Sequence, residues 1–158
     1  MLCANIIMHP SDDEPLRVSF IDYEYATPSP AAFDIANHFA EWGGYDCDYS
    51  VLPTVAQRRA FISEYIKVYV ELSGEDLDEA EEMRKLMDDV DAFRGVPGFY
   101  WGIWSSIQAT ISEIDFDYAS YAEVRLGEYW AFKAEKDGSR QARGEEMPLR
   151  EKVWARSE

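Results

Sequence analysis

The chain has 158 residues, with 31 Asp or Glu against 15 Lys or Arg for a formal charge of -16, and 47% of its residues are hydrophobic and 15% aromatic. That length sets one domain or part of one, with enough chain to bury a core, and the composition is globular rather than disordered. So large an acidic excess excludes bulk nucleic-acid binding and docking on an anionic membrane surface, and it suits a cationic small molecule or a metal that bridges to phosphate.

The first element expected is a short β-prone run, Asn5 to Met8, followed by a connection rich in turn residues, His9 to Pro15. Arg17 to Asp22 then alternates with period two, so the two runs read as a hairpin. Thr27 to Pro30 is a loop, and Ala31 to Trp42 reads as a helix with Ser29 or Pro30 at its start. Beyond Gly43 and Gly44 the pattern is helical. Ile62, Tyr65, Ile66, Tyr69 and Val70 form one stripe, and after Gly74 the residues Leu77, Ala80, Met83, Met87 and Val90 form the next. Gly95, Pro97 and Gly98 interrupt the chain. Phe99 to Ser112 is apolar enough to predict a buried helix, and Tyr118 to Phe132 marks a fifth one. From Lys136 onward the residues are polar and charged, which predicts a frayed tail.

No apolar run approaches the roughly 18 residues of a membrane-spanning helix. The start has neither the basic region nor the long apolar region of a signal peptide, so a cytoplasmic protein without membrane insertion is expected. Cys3 and Cys47 make no disulfide framework; Cys3 reads as a small hydrophobe in the first strand and Cys47 as a loop residue. The acidic run Glu75 to Glu82 reads as a solvated helix face. Asp34 and His38 share one helix face and read as a stabilising polar pair rather than a proton-transfer pair.

Two groups of residues carry chemistry. A hairpin folds Asn5 and Asp22 back to the same end, where an amide oxygen and a carboxylate are hard ligands suited to Mg²⁺. The alternative is a turn-capping Asn beside a strand-end Asp. Trp101 and Trp104 lie one turn apart on a helix, with Phe116 and Tyr121 shortly after. Aromatic faces attract a cation, although such a stripe also serves as core packing.

Five stretches in order resemble successive blocks of the choline/ethanolamine kinase family. They are Leu2-Cys3-Ala4-Asn5-Ile6-Ile7, Phe20-Ile21-Asp22-Tyr23-Glu24-Tyr25-Ala26, Phe33 to Trp42, Trp101 to Ala109, and Ile114-Asp115-Phe116-Asp117-Tyr118. The resemblance runs from Leu2 to about Phe132, and Glu41-Trp42-Gly43-Gly44-Tyr45-Asp46 looks more like the ethanolamine members. It implies a mainly α (α+β) fold class, the helical C-terminal lobe of a protein-kinase-like fold with a short β-hairpin at its N-terminal end. Residues 1–135 would form that lobe and residues 136–158 a polar tail. The implied activity moves the γ-phosphoryl of ATP to ethanolamine, giving phosphoethanolamine for phosphatidylethanolamine synthesis. Asn5 and Asp22 match the family's Mg²⁺ ligands. Trp101, Trp104, Phe116 and Tyr121 match its amine-pocket aromatics, and Glu41 matches a residue near that pocket.

One departure stands out. The family's catalytic base, an Asp shortly before the motif Asn, would fall just upstream of Met1, and its Gly-rich loop and strand Lys have no counterpart here. The expectation is therefore an N-terminally truncated form, inactive alone, that takes ATP only when the N-terminal lobe is present and self-associates through exposed apolar surface. Choline instead of ethanolamine, a non-catalytic amine-binding helical module, and a solubilising acidic domain remain as alternatives.

Overall fold

The computed structural model describes residues 5–10 and 15–157. Its first elements are β1 (Ile6–His9) and β2 (Arg17–Phe20), paired antiparallel with Ile6 opposite Phe20 and His9 opposite Arg17. This is the hairpin expected. Leu2, Cys3 and Ala4 of its start, and residues 11–14 of its connection, lie outside the described residues. Both strands are largely exposed, and a lone two-stranded ribbon is marginal in water. The segment that follows β2 ties the hairpin to the helices, through Tyr25 packed edge-on against Trp101 and Trp104.

The helices follow as α1 (Ala31–Ala40), α2 (Val55–Ser73), α3 (Glu79–Phe93), α4 (Val96–Ile111) and α5 (Tyr118–Lys136). Helix α1 is short and apolar on most sides, and Ala32, Ile35, Ala36, Asn37, His38, Phe39 and Ala40 are all buried. A helix of that composition belongs inside a bundle. The core forms where α1 meets α2 and α3, with Ile35, Phe39, Ile62, Ile66 and Val90 at its centre. Local chemistry sets the helix ends. Thr54 and Gln57 make a reciprocal capping box at the start of α2, and Gly74, at φ 68°, ends it in the left-handed conformation. Asp78 accepts from the Ala80 and Glu81 amides, and Glu79, Glu81 and Glu82 follow in the first turn of α3. Acids there favour the positive end of the helix dipole. Leu77 and Glu82 of the run 75–82 are half-buried and the rest are exposed.

Two glycines govern the packing of α4 on α5. A Cβ at Gly98 would lie 2.6 Å from the Arg125 carbonyl oxygen, and one at Gly102 would lie 2.7 Å from the Leu126 side chain. The two helices can approach this closely only because both positions lack a side chain. Helix α4 differs from the buried helix expected. Ile103, Ile107 and Ile111, spaced one turn apart, are 43%, 51% and 67% exposed. Its inner faces meet α5 and α1, and no other described element covers the outer one.

The frayed tail expected from Lys136 onward is also corrected. Residues Ser139–Arg143 form α6 and Leu149–Trp154 form α7. Trp154 is 4% exposed and belongs to the central core. Its ring packs on Phe39 at 6.5 Å, its indole N–H donates to Asp91 at 3.0 Å, and the Arg58 guanidinium lies over it at 3.9 Å. Arg140, Arg150 and Glu151 are buried as well. A polar composition predicts solvent exposure only when charges face water, and these face one another. No helix among the described residues is long and apolar enough to cross a membrane.

Because Trp154 fills the core, Trp154→Ala should destabilise the protein by about 3–5 kcal/mol, the usual cost of emptying an aromatic site. Urea unfolding followed by circular dichroism measures this, and a neutral result would mean that α7 is not docked.

Candidate functional site

A cleft of about 710 Å³ opens between the end of the hairpin, residues 21–31, α1 and α4, with Asn5, Asp22, Tyr25, Glu41, Trp101, Trp104 and Tyr121 among its lining residues. At the hairpin end the Asn5 amide N–H donates to the Asp22 carboxylate at 3.3 Å, and Ile21 N–H donates to the Asn5 carbonyl at 3.0 Å. Asp22 has φ 70°. Left-handed backbone is costly for most residues, and Asp is among the few that tolerate it. Strain of this kind gathers at functional positions. Here it accompanies the turn that leaves the carboxylate facing Asn5.

Three rings form a corner on the α4 side. Trp101 and Trp104 lie 5.6 Å apart at 84°. Tyr25 meets Trp101 at 6.1 Å and 80° and Trp104 at 6.2 Å and 89°. The three planes are thus close to mutually perpendicular. Hydrogen bonds hold the two indoles: Trp101 donates to the Asn37 side-chain oxygen at 2.8 Å, and Trp104 donates to the Tyr25 hydroxyl at 2.9 Å. Indole N–H groups held this way leave the ring faces for other contacts.

Glu41 follows α1, where the chain tightens into a 3₁₀ turn, Glu41–Gly43. It is not an exposed helix-terminal residue: it is 5% exposed, and Arg125 donates to one of its oxygens at 2.8 Å. Arg125 also donates to the Tyr121 hydroxyl at 3.0 Å and faces Glu128 at 3.2 Å. The Glu128 contact lacks hydrogen-bond alignment, leaving Arg125 Nε and Glu128 Oε2 without a directional partner, so it is Coulombic. Burial pushes the Glu41 carboxyl above its ordinary value of 4.5, and Arg125 pulls it only part of the way back. Burial pulls Arg125 down, but Glu128 and Glu41 outweigh it and raise the guanidinium above its usual value. Burial also pushes the Tyr121 hydroxyl up to about 12, so it stays neutral and able to donate.

Four of the five residues expected near an amine, Glu41, Trp101, Trp104 and Tyr121, line the cleft. Phe116 does not line it but packs on two residues that do, Tyr45 at 5.9 Å and Tyr121 at 5.6 Å. Asp34 lines the cleft. His38 takes the Trp42 indole N–H at 3.4 Å and packs on Phe61 at 5.3 Å. Cys47 is half-buried, and burial pushes its thiol up to about 11, which makes it a poor nucleophile. Sequence reasoning missed Tyr25, Asn37 and Arg125 as parts of the site. Tyr25 and Asn37 stood within the blocks Phe20 to Ala26 and Phe33 to Trp42, and Arg125 within the helical stretch Tyr118 to Phe132, but nothing local marks the partner each one meets.

The charged side chains of the cleft are carboxylates. Asp22, Asp34 and Glu41 line it, and among its described lining residues there is no Lys or Arg. Such a surface attracts a cation. Among the described residues no group of three His, Cys, Asp or Glu side chains could hold a metal. The amide–carboxylate pair Asn5–Asp22 nevertheless fits Mg²⁺, which takes one or two protein oxygens and fills its remaining positions from phosphate and water.

Residues 1–130 match the profile of the family described as choline/ethanolamine kinase. The chain is 44% identical over 136 residues to a probable ethanolamine kinase of Nematostella vectensis, covering 84% of this chain and 38% of that protein. It is 39% identical over 137 residues to ethanolamine kinase 1 of Mus musculus, covering 85% and 37%. With probable choline kinase 3 of Arabidopsis thaliana it shares 36% identity over 129 residues, covering 77% and 36%. Among solved structures, an ethanolamine kinase of Plasmodium vivax superposes with a TM-score of 0.68 at 32% identity, over 80% of this chain and 31% of that one. The chain therefore spans less than two fifths of the length of these relatives.

Arg125→Met would leave Glu41 buried without its counter-charge, which costs about 3–5 kcal/mol in comparable buried pairs. The loss should depend on pH. With its folded value raised further, Glu41 binds its proton more tightly folded than unfolded. The variant should then be most stable below the ordinary value of 4.5 and lose stability as pH rises through the elevated folded value. Denaturant melts across pH measure this, and a loss independent of pH would contradict it.

Proposed function

The chain belongs to the choline/ethanolamine kinase family, and from that premise we propose that it forms the metal-holding and amine-binding part of an ATP-dependent kinase that phosphorylates ethanolamine. The fold is mainly helical and of the protein-kinase-like type. The observation that carries the reading is the corner of three perpendicular rings, Tyr25, Trp101 and Trp104, facing a cleft whose ionisable side chains are acidic.

Each residue then has a task. The ring faces hold the ammonium group by cation–π attraction, worth roughly 0.5–2 kcal/mol per ring according to desolvation. A primary ammonium carries three N–H donors that rings cannot satisfy, and Glu41 supplies a carboxylate acceptor in the same cleft. The neutral Tyr121 hydroxyl and the Asn37 amide add polar lining. Asn5 and Asp22 would hold Mg²⁺, which when bound supplies charge neutralisation on the phosphates of ATP. The cleft thereby fixes the amine so that the substrate hydroxyl points toward the hairpin end. Positioning of this kind is worth roughly 7–11 kcal/mol of barrier in favourable cases. The product, phosphoethanolamine, would serve phosphatidylethanolamine synthesis in the cytoplasm.

Choline is the second reading, since the ring corner of Tyr25, Trp101 and Trp104 suits a quaternary head as well. A quaternary ammonium donates no N–H and needs only the rings. Competition between ethanolamine and choline for the cleft, read by tryptophan fluorescence, decides between them.

Ethanolamine should bind the 158-residue chain, and Trp104→Ala should weaken it several-fold, about 1 kcal/mol for one ring face. Affinity should rise with pH above the ordinary Glu41 value of 4.5, because the ammonium binds the ionised carboxyl, and Glu41→Gln should flatten that dependence. Titration calorimetry at several pH values tests both, and no ethanolamine binding by the unaltered chain would overturn the reading. Turnover is a separate matter. With no Lys or Arg among the described cleft-lining residues to grip a triphosphate, residues 1–158 alone should form no phosphoethanolamine from ATP and Mg²⁺. Robust formation would show that this cleft also holds the nucleotide.

A further inference from the structure

A run of buried charges of alternating sign connects the cleft to the C-terminal helix. Glu41 takes the Arg125 guanidinium at 2.8 Å, and Arg125 Nε faces Glu128 at 3.2 Å. The same Glu128 oxygen lies 3.8 Å from Arg150 Nε. Arg150 is held in turn by Glu151 at 3.1 Å and donates to the Arg94 carbonyl at 2.8 Å. Arg94 grips Glu151 through two N–H groups, at 3.1 and 3.0 Å. All six side chains belong to buried residues, where solvent and salt screen little. Glu128 faces Gly98 of α4, where an added Cβ would lie 3.1 Å from its Oε2. Arg150 lies beyond residue 130, where the family match ends.

We propose that α7 is a positioning element of the amine site, with Arg150 setting, through Glu128 and Arg125, how firmly Glu41 is held and so how well it accepts an ammonium. This rests on the reading of the cleft as the amine site. Two carboxylates compete for Arg125. While Arg150 shares Glu128, Arg125 is left to aim its terminal N–H groups at Glu41 and Tyr121. Without Arg150, Glu128 keeps the neutral Tyr49 hydroxyl beside it, and Arg125, the one remaining cation against it among the described residues, is drawn away from Glu41. An ammonium arriving at Glu41 has the converse effect: it relieves Arg125 of part of its pairing, and the change passes through Glu128 to Arg150. Because the coupling acts through an acceptor carboxylate, it bears on a primary ammonium, which donates N–H bonds, far more than on a quaternary one, which does not.

The test uses the 158-residue chain and two probes, ethanolamine hydrochloride and choline chloride. In the unaltered protein, the Nε–H resonances of Arg125 and Arg150 should shift saturably with added ethanolamine, while that of Arg143, paired with Glu145 at the surface, should stay still. Arg150→Met should change the ratio of ethanolamine to choline affinity by roughly fivefold, the lower end of couplings between linked sites, and Arg150→Lys should restore most of it. A general packing defect would weaken both ligands together and leave the ratio alone. An unchanged ratio in Arg150→Met, or an Arg150 resonance that ignores ethanolamine while the Trp104 signal reports binding, overturns the proposal and leaves the amine site standing. Should Arg150→Met not fold, the arginine resonances of the unaltered protein decide alone. Absence of ethanolamine binding to the unaltered chain removes the amine site and this inference with it.

Discussion

The site depends on one buried cation. Arg125 is 1% exposed, and three groups from two stretches of chain converge on it: Glu41 after α1, and on α5 itself Tyr121 one turn earlier and Glu128 one turn later. A guanidinium can satisfy several acceptors at once because its five donors are fixed in a plane. Leaving such a charge unpaired inside a protein is costly, so the acids around it are constrained as well. Their arrangement brings the end of α1 against α5 and keeps a carboxylate at the floor of the cleft. The same carboxylate would otherwise favour solvent or take up a proton.

The rest of the cleft follows from how closely α4 can approach α5 and α1. Gly98 and Gly102 let the α4 backbone settle against Arg125 and Leu126. That approach aims Trp101 toward α1, where Asn37 receives its indole, and Trp104 toward the segment ahead of α1, where Tyr25 receives the other. The ring corner is therefore a consequence of two missing side chains as much as of three aromatic ones. Its rings are tethered by their own N–H and O–H groups, so little rotamer freedom remains to be lost when a ligand arrives.

At the opposite end of the cleft the constraint is local. Asp22 sits in left-handed backbone two residues after β2 and faces Asn5 across the hairpin end. The site thus joins two kinds of order. The hairpin pair is exposed and set by strand register and one unusual backbone angle, whereas the side of the cleft formed by the helices is long-range, set by helix packing and by a buried charge network reaching α7.

Much of the fold was legible in the residues themselves. Period-two alternation marked the hairpin, spacings of three and four marked α2, α3 and α5, and Gly74 marked the break between α2 and α3. The pairing of Asn5 with Asp22 followed from the hairpin, and ordered blocks of residues placed the chain in its family. Such features rest on contacts close in sequence, which a pattern can carry. Other features rest on contacts between distant segments. Glu41 reads as an exposed helix end until Arg125, far along the chain, is brought against it. Residues beyond Lys136 read as a solvated tail because Arg140, Arg150 and Glu151 are charged, yet each finds an opposite charge inside, and Trp154 closes the core against Phe39. Helix α4 reads as buried because it is apolar on every side, yet only two of its faces meet another helix. Charge sign, helix content and family were determined by the sequence by itself. Which charges are buried, which apolar faces stay open and which side chains share the cleft were decided only by the tertiary structure, because burial depends on what lies opposite in space, not on what lies adjacent in the chain.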